Sequence, residues 1–141
     1  MTRSRVLVDT GPLVALVSRD DAQHRLCVDS LGTLQAPLFT CWPVLTEAAW
    51  LLRHRPEAFQ KLLSEFGTGL FALLPLGPEA VVPIAQILRR YQSLGAQLAD
   101  AALVHLADRE AITSVFTLDR RDFSVYRLKR NRTLNVLPEV P

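Results

Sequence analysis

A chain of 141 residues, 49% of them hydrophobic and 21% charged, is expected to form one domain spanning 1–141 and to bury about 68–70% of the surface its unfolded form exposes. No apolar run approaches the roughly 20 residues that a bilayer crossing needs, and MTRSRVLVDTG has no small-residue cleavage site, so a soluble, cytoplasmic protein with no membrane partner is expected. The net charge of +2 is too small to argue nucleic-acid binding, and Cys27 and Cys41, with no CxxC or Cys/His cluster around them, read as ordinary buried thiols.

Strand and helix signals alternate. RVLV, residues 5–8, is a short β-branched run closed by DTGP, after which Pro12 and LVALV begin a helix. A second helix is expected over 22–34, PLFT reads as a strand, and Pro43 opens the helix that carries Glu47. Residues 57–66 continue helically until GTG breaks them, and LFALLPL is a strand bounded by Gly and Pro. Residues 79–91 and 98–109 give two more helices, and SVFTL and TLNVLP supply the last two strands. Such alternation predicts an α/β fold with a mostly parallel sheet of about five strands covered on both faces.

The most informative residues are four acids inside or at the ends of apolar stretches: Asp9 in VLVDTGPL, Glu47 in VLTEAAWLL, Asp100 in LADAALVHL and Asp119 in VFTLDRRDF. Asp9 follows the first strand and Asp119 follows SVFT, which puts both at the carboxyl edge of the sheet, where α/β folds place their functional crevice. Glu47 and Asp100 have apolar neighbours at helical spacing, so each carboxylate leans toward an inward face. Like charges 4 Å apart repel by roughly 4 kcal/mol at an effective dielectric near 20, so a converging cluster requires a bound cation or raised pKa values. An all-oxygen set favours Mg²⁺ or Mn²⁺ over zinc.

These residues, in this order, resemble the PIN-domain ribonucleases, and most of all the VapC toxins of bacterial toxin–antitoxin pairs. The likeness covers the whole chain: an Asp after the first strand with a Thr beside it (Asp9, Thr10), a helical Glu47, an Asp opening a late helix (Asp100) and a Thr-x-Asp after the next strand (Thr117, Asp119). Asp122 stands where the family often carries one further acid. The resemblance implies a PIN-like three-layer α/β/α fold, divalent-metal-dependent hydrolysis of RNA phosphodiester bonds, a homodimer and an antitoxin partner. On this reading Asp9, Glu47, Asp100 and Asp119 form the catalytic and metal-binding set, supported by Thr10, Thr117 and Asp122. Residues 119–141 hold six basic side chains against three acids, and Arg120, Arg121, Lys129 and Arg130 are the candidates for RNA phosphate contacts.

Each residue also has a plainer reading. Asp9 and Asp100 stand where helix caps stand, Glu47 suits an ion pair with a distant arginine, and DRRD after a strand is ordinary turn chemistry that leaves Asp122 at the surface. His24, His54 and His105 are assigned no catalytic part, and Trp42 and Trp50 are expected in the core or at an interface. The DTG triplet also marks aspartic proteases, but those need an all-β chain. A haloacid-dehalogenase-like site requires a second Asp where Gly11 stands. A PIN fold that binds RNA or a partner without cleaving would be expected to have lost an acid, and all four are present.

Overall fold

The computed structural model describes residues 4–139, so the two ends of the expected 1–141 unit lie outside the described residues. Five strands, β1 (Val6–Val8), β2 (Leu38–Thr40), β3 (Phe71–Leu73), β4 (Ser114–Phe116) and β7 (Asn135–Leu137), form a wholly parallel sheet in the order β3-β2-β1-β4-β7. Two-residue strands β5 (Arg127–Leu128) and β6 (Arg132–Thr133) form a separate antiparallel hairpin. Helices flank the sheet: α1 (Thr10–Val17), α2 (His24–Leu31), α3 (Trp42–Leu51), α4 (Pro56–Ser64), α5 (Val81–Arg90), α6 (Leu98–Glu110) and α7 (Arg120–Val125).

The central strand β1 is buried along its whole length, as expected of a parallel strand with both faces covered. The chain runs outward from β1 to β2 and β3 on one side and to β4 and β7 on the other, so strand order reverses between β1 and β4. Helix α6 packs on both α3 and α5 and buries Ala99, Ala101, Ala102, Leu103, Val104, Leu106 and Ala107. Four alanines let neighbouring elements approach closely on more than one side, which is why this helix lacks a simple polar face.

The expected strands and helices are present but mostly shorter. The helix expected over 79–91 begins as a 3-10 turn at Pro78–Ala80 before α5. Two features differ in kind. DRRDF is not a turn: the Asp119 carboxylate caps α7 by accepting the Asp122 amide at 3.3 Å, and Phe123 fixes the helix in the core. RLKRNR is a tight hairpin whose turn holds Arg130 and Asn131 at φ 64° and 59°. Nor are Trp42 and Trp50 in the core: they are 62% and 63% exposed on the outer side of α3. Cys27 and Cys41 are buried free thiols, as expected, both raised to about 11 by burial.

Candidate active site

At the reversal between β1 and β4 an open cleft of about 510 Å³ is lined by Asp9, Glu47, Asp100, Asp119 and Asp122. Five carboxylates from four separate stretches of chain thus meet at one place, and no lysine, arginine or histidine lines it. Thr10, Gly11, Leu51, Gly95, Gln97 and Leu118 complete the walls. Gly95 ends the turn before α6 at φ 81°, a left-handed conformation that any side chain would strain.

Asp9 is placed by the sheet itself. Its amide donates to the Phe116 carbonyl at 2.9 Å, continuing the β1–β4 ladder one residue past β1 and fixing the carboxylate above the sheet edge. The residue is only 7% exposed, and its carboxylate makes no cap to α1 although it occupies the cap position. Instead it accepts a hydrogen bond from the Thr117 hydroxyl at 2.7 Å, and that hydroxyl accepts the Asp119 amide at 3.0 Å. Burial raises the Asp9 pKa from 3.8 to about 6, with the charges of Asp100 and Glu47 adding and the Thr117 hydrogen bond opposing.

The other acids are tethered in the same manner. The Thr10 hydroxyl donates to Glu47 Oε2 at 2.7 Å, so the two threonines next to the motif acids are bonded to carboxylates. Glu47 has no ion pair among the described residues. Asp100 does close a capping box, accepting the Gln97 amide at 3.0 Å, and it lines the cleft as well; the cap and the site are one residue. Its pKa is raised by burial first, then by the charges of Asp119 and Glu47. Asp119 lies at the exposed rim, raised by the partial burial of its carboxyl and by the charge of Asp122. Asp122 is half-buried in the cleft wall rather than surface-bound.

Tyr126 is a residue that sequence reasoning missed. It is fully buried, its ring packs edge-on against Phe123 and Tyr91, and its hydroxyl makes no hydrogen bond of normal geometry among the described residues. Burial and then the charge of Asp100 push its pKa far above the ordinary 10, so it is a neutral phenol standing behind the acids. An apolar-looking SVYRL gives no sign of this, since the acids it meets come from other elements.

The basic candidates are not brought together. The Arg120 guanidinium is tied to the Pro138 carbonyl, Arg121 is exposed near Asp119, and Lys129 and Arg130 sit on the β5–β6 hairpin. None of the four lines the cleft.

The donor set suits a hard divalent cation. Raised carboxyl pKa values with no cationic side chain in the walls mean that charge in the cleft is uncompensated by the protein. Among the described residues no three acids are already gathered tightly enough to enclose an ion directly. This fits a cation such as Mg²⁺, which retains part of its water shell and takes one or two carboxylates.

Comparison with known proteins agrees with this architecture. A family model described as the PIN domain matches residues 6–129. Ribonuclease VapC26 of Mycobacterium tuberculosis is 29% identical over 135 residues, covering 94% of this chain and all of that protein. The crystal structure of VapC20 from the same species, a toxin described as cleaving the sarcin-ricin loop, superposes with a TM-score of 0.75 at 18% identity, over 82% of this chain and 91% of that one. VapBC2 of Rickettsia felis, solved with a fragment of promoter DNA, gives 0.61 at 14% identity over 93% and 96%. With the match running from the first strand into the β5–β6 hairpin, and the fold agreeing along most of its length, the chain belongs to the PIN-domain family.

Proposed function

We propose that this protein is a divalent-metal-dependent endoribonuclease, the toxin half of a VapBC-type pair, and that residues 1–141 act as one PIN-like unit in the cytoplasm. The observation that carries this reading is the convergence of five carboxylates, with no cationic side chain among the lining residues, at the strand-order reversal of the sheet. The kinship with a named VapC ribonuclease over the whole length of that protein supports the choice of RNA.

Asp9, Glu47 and Asp100 would hold Mg²⁺ or Mn²⁺, one or two of them directly and the rest through its retained water, and Asp119 at the rim would hold a second ion or orient the attacking water. When bound, such an ion acts as a Lewis acid toward water and phosphate and offsets the charge of the cleft. Thr117 and Thr10 keep Asp9 and Glu47 in position through their 2.7 Å hydrogen bonds. Asp122 holds its neighbour Asp119 at the mouth of the cleft by donating its backbone amide to that carboxylate. Mutual repulsion among the ionised acids favours uptake of the cation and keeps an anionic substrate out until the cation is present.

Two partners complete the reading. A second copy of the chain covers the exposed strip of Trp42, Trp50, Leu51 and Leu98, which are 52–63% exposed beside the cleft. An antitoxin protein, as the two-component name of the Rickettsia relative suggests, silences the enzyme. Sedimentation of the native chain against Trp42→Glu/Trp50→Glu tests the first: a folded double variant of the same mass as the native protein removes the strip from the dimer surface.

The function is tested by incubating the purified chain with total RNA and intact ribosomes in Mg²⁺, Mn²⁺ or EDTA, beside Asp9→Asn and Asp100→Asn. Discrete fragments that need metal and vanish in both variants are expected. Fragments that persist in the variants, or none from a folded native chain in either metal, overturn the reading; in the second case the PIN fold that binds without cleaving takes its place.

A further inference from the structure

Helix α6 carries Asp100 into the acidic cleft at its first turn, and at its other end it borders a second cavity of opposite sign. This cavity, about 210 Å³, is lined by Arg90, Arg109, Arg127, Lys129 and His105, with Asp108 as its single acid. The charges come from α5, α6 and the β5 end of the hairpin, so the fold and not a run of sequence gathers them.

Several of these groups are spoken for. Asp108 accepts the Lys129 amide at 2.9 Å and pairs with Arg132 at 3.5 Å, and Arg109 is held by the Pro75 carbonyl and by Glu110. Arg127 donates to the carbonyls of Ser124, Val125 and Tyr126 at the end of α7; these carry no full charge and leave its cation uncompensated. Arg90 and Lys129 are exposed, and among the described residues their side chains have neither hydrogen bond nor ion pair. The buried Nε2 of His105 likewise has no hydrogen-bond partner. A concave site with two free cations and a third facing only carbonyls is built for a phosphate oxyanion.

We propose that this cavity binds a backbone phosphate of the RNA whose scissile bond lies in the acidic cleft, an inference that rests on the function proposed above. From Asp100 to Asp108 the helix rises eight residues, about 12 Å at 1.5 Å each. A stacked strand advances about 3.4 Å per nucleotide, so the bound phosphate lies at least about three to four nucleotides from the cut. The arrangement answers a difficulty of the cleft, whose walls offer no cation to attract RNA. Affinity comes from one cavity and chemistry from the other.

The test uses the full chain carrying Asp100→Asn, so that RNA is not consumed, and reads anisotropy of a labelled 12-nucleotide single-stranded RNA over a range of salt. Adding Arg90→Ala and Lys129→Ala is expected to weaken binding about tenfold at 0.1 M salt and to reduce the magnitude of the log–log salt slope by about 1.4, two contacts at about 0.7 each. Arg90→Lys/Lys129→Arg is expected to restore the slope, which a merely structural role would not predict. Unchanged affinity and slope in a variant with native thermal melting overturn the proposal. So does Arg90- and Lys129-dependent binding of inorganic phosphate without any effect on RNA, which reassigns the cavity to a free anion. Failure of the native chain to cut RNA, with the salt slope still sensitive to both residues, removes the nuclease reading and leaves this site standing.

Discussion

Strands β1 and β4 are neighbours, and each leads into an acid and a helix, β1 directly and β4 after Thr117 and Leu118, yet the two corners are chemically unlike. After β1, Asp9 is almost fully buried, hydrogen-bonded by a threonine hydroxyl and raised to about 6. After β4, Asp119 is exposed, caps α7 and owes part of its raised pKa to its own helix neighbour Asp122. Topology brings both acids to one edge; burial decides what each does there. Thr117 joins them, since its hydroxyl donates to one carboxylate and accepts the other residue's amide.

The comparison is broken most severely at its buried end. Asp9→Asn is expected to lower RNA cleavage by at least about 100-fold, beyond the 10–100-fold typical of losing a supporting partner. Asp119→Asn is expected to cost less, because a rim carboxylate shares its surroundings with water. Single-turnover rates for both, with equal losses as the contrary result, decide whether burial ranks the two acids.

Thr117→Val severs the link. A valine of the same shape leaves the Asp9 carboxylate and the Asp119 amide without their partner, for about 1–3 kcal/mol of stability and a 10–100-fold loss in divalent-ion affinity. Calorimetric Mn²⁺ titration measures the second effect. Native affinity in a folded variant shows that Asp9 needs no such tether.

The third effect is seen in pH. In metal-free protein Asp9 keeps its proton to about 6 when folded but only to about 3.8 when unfolded. Folding therefore takes up a proton between those values. The associated stability is fully present below pH 3.8 and is lost as pH rises through 6, amounting to about 3 kcal/mol at roughly 1.4 kcal/mol per unit. In EDTA, Asp9→Asn is expected to gain stability relative to the native chain between pH 4 and pH 8. A difference in denaturation midpoints that stays flat over this range rejects a buried, proton-holding Asp9.

The smallest effect is expected from Asp122→Asn. Only its backbone amide holds Asp119, and asparagine keeps that amide, so what changes is one of five charges in the cleft. A several-fold change in the Mn²⁺ dissociation constant, with cleavage retained at saturating metal, is the expected titration result. A loss as deep as that of Asp9→Asn moves Asp122 into the ligand set.

Much of this is legible in the sequence alone. β-Branched runs ending in an acid located the sheet edge, and apolar helical spacing turned Glu47 and Asp100 inward. The start of α7 is readable in part: Asp119 and Asp122, three apart and followed by a phenylalanine, have the spacing of a capped start, but DRRD after a strand is equally ordinary turn chemistry. Other features were not readable, because they depend on elements far apart in sequence. Nothing in VYRL places Tyr126 behind Asp100, and nothing in ILRRY, HLADR and RLKRN states that their cations share one cavity. Whether the tryptophans of α3 lie in the core or at an interface is not readable for a further reason, that periodicity tells which residues lie on one stripe and not whether a neighbour covers it.

One oxygen of each of the four principal acids is already held by a donor of this chain: Asp9 by Thr117, Glu47 by Thr10, Asp100 by the Gln97 amide and Asp119 by the Asp122 amide. A free carboxylate gives up rotational freedom on meeting a ligand, at about 0.5–1.5 kcal/mol for a mobile side chain. Here that loss was incurred during folding, so the arrival of a cation immobilises almost nothing in the protein. Affinity in this cleft is accordingly set by electrostatics and dehydration, and a loosened tether shows itself as an unfavourable entropy of binding before any contact with the ligand is lost.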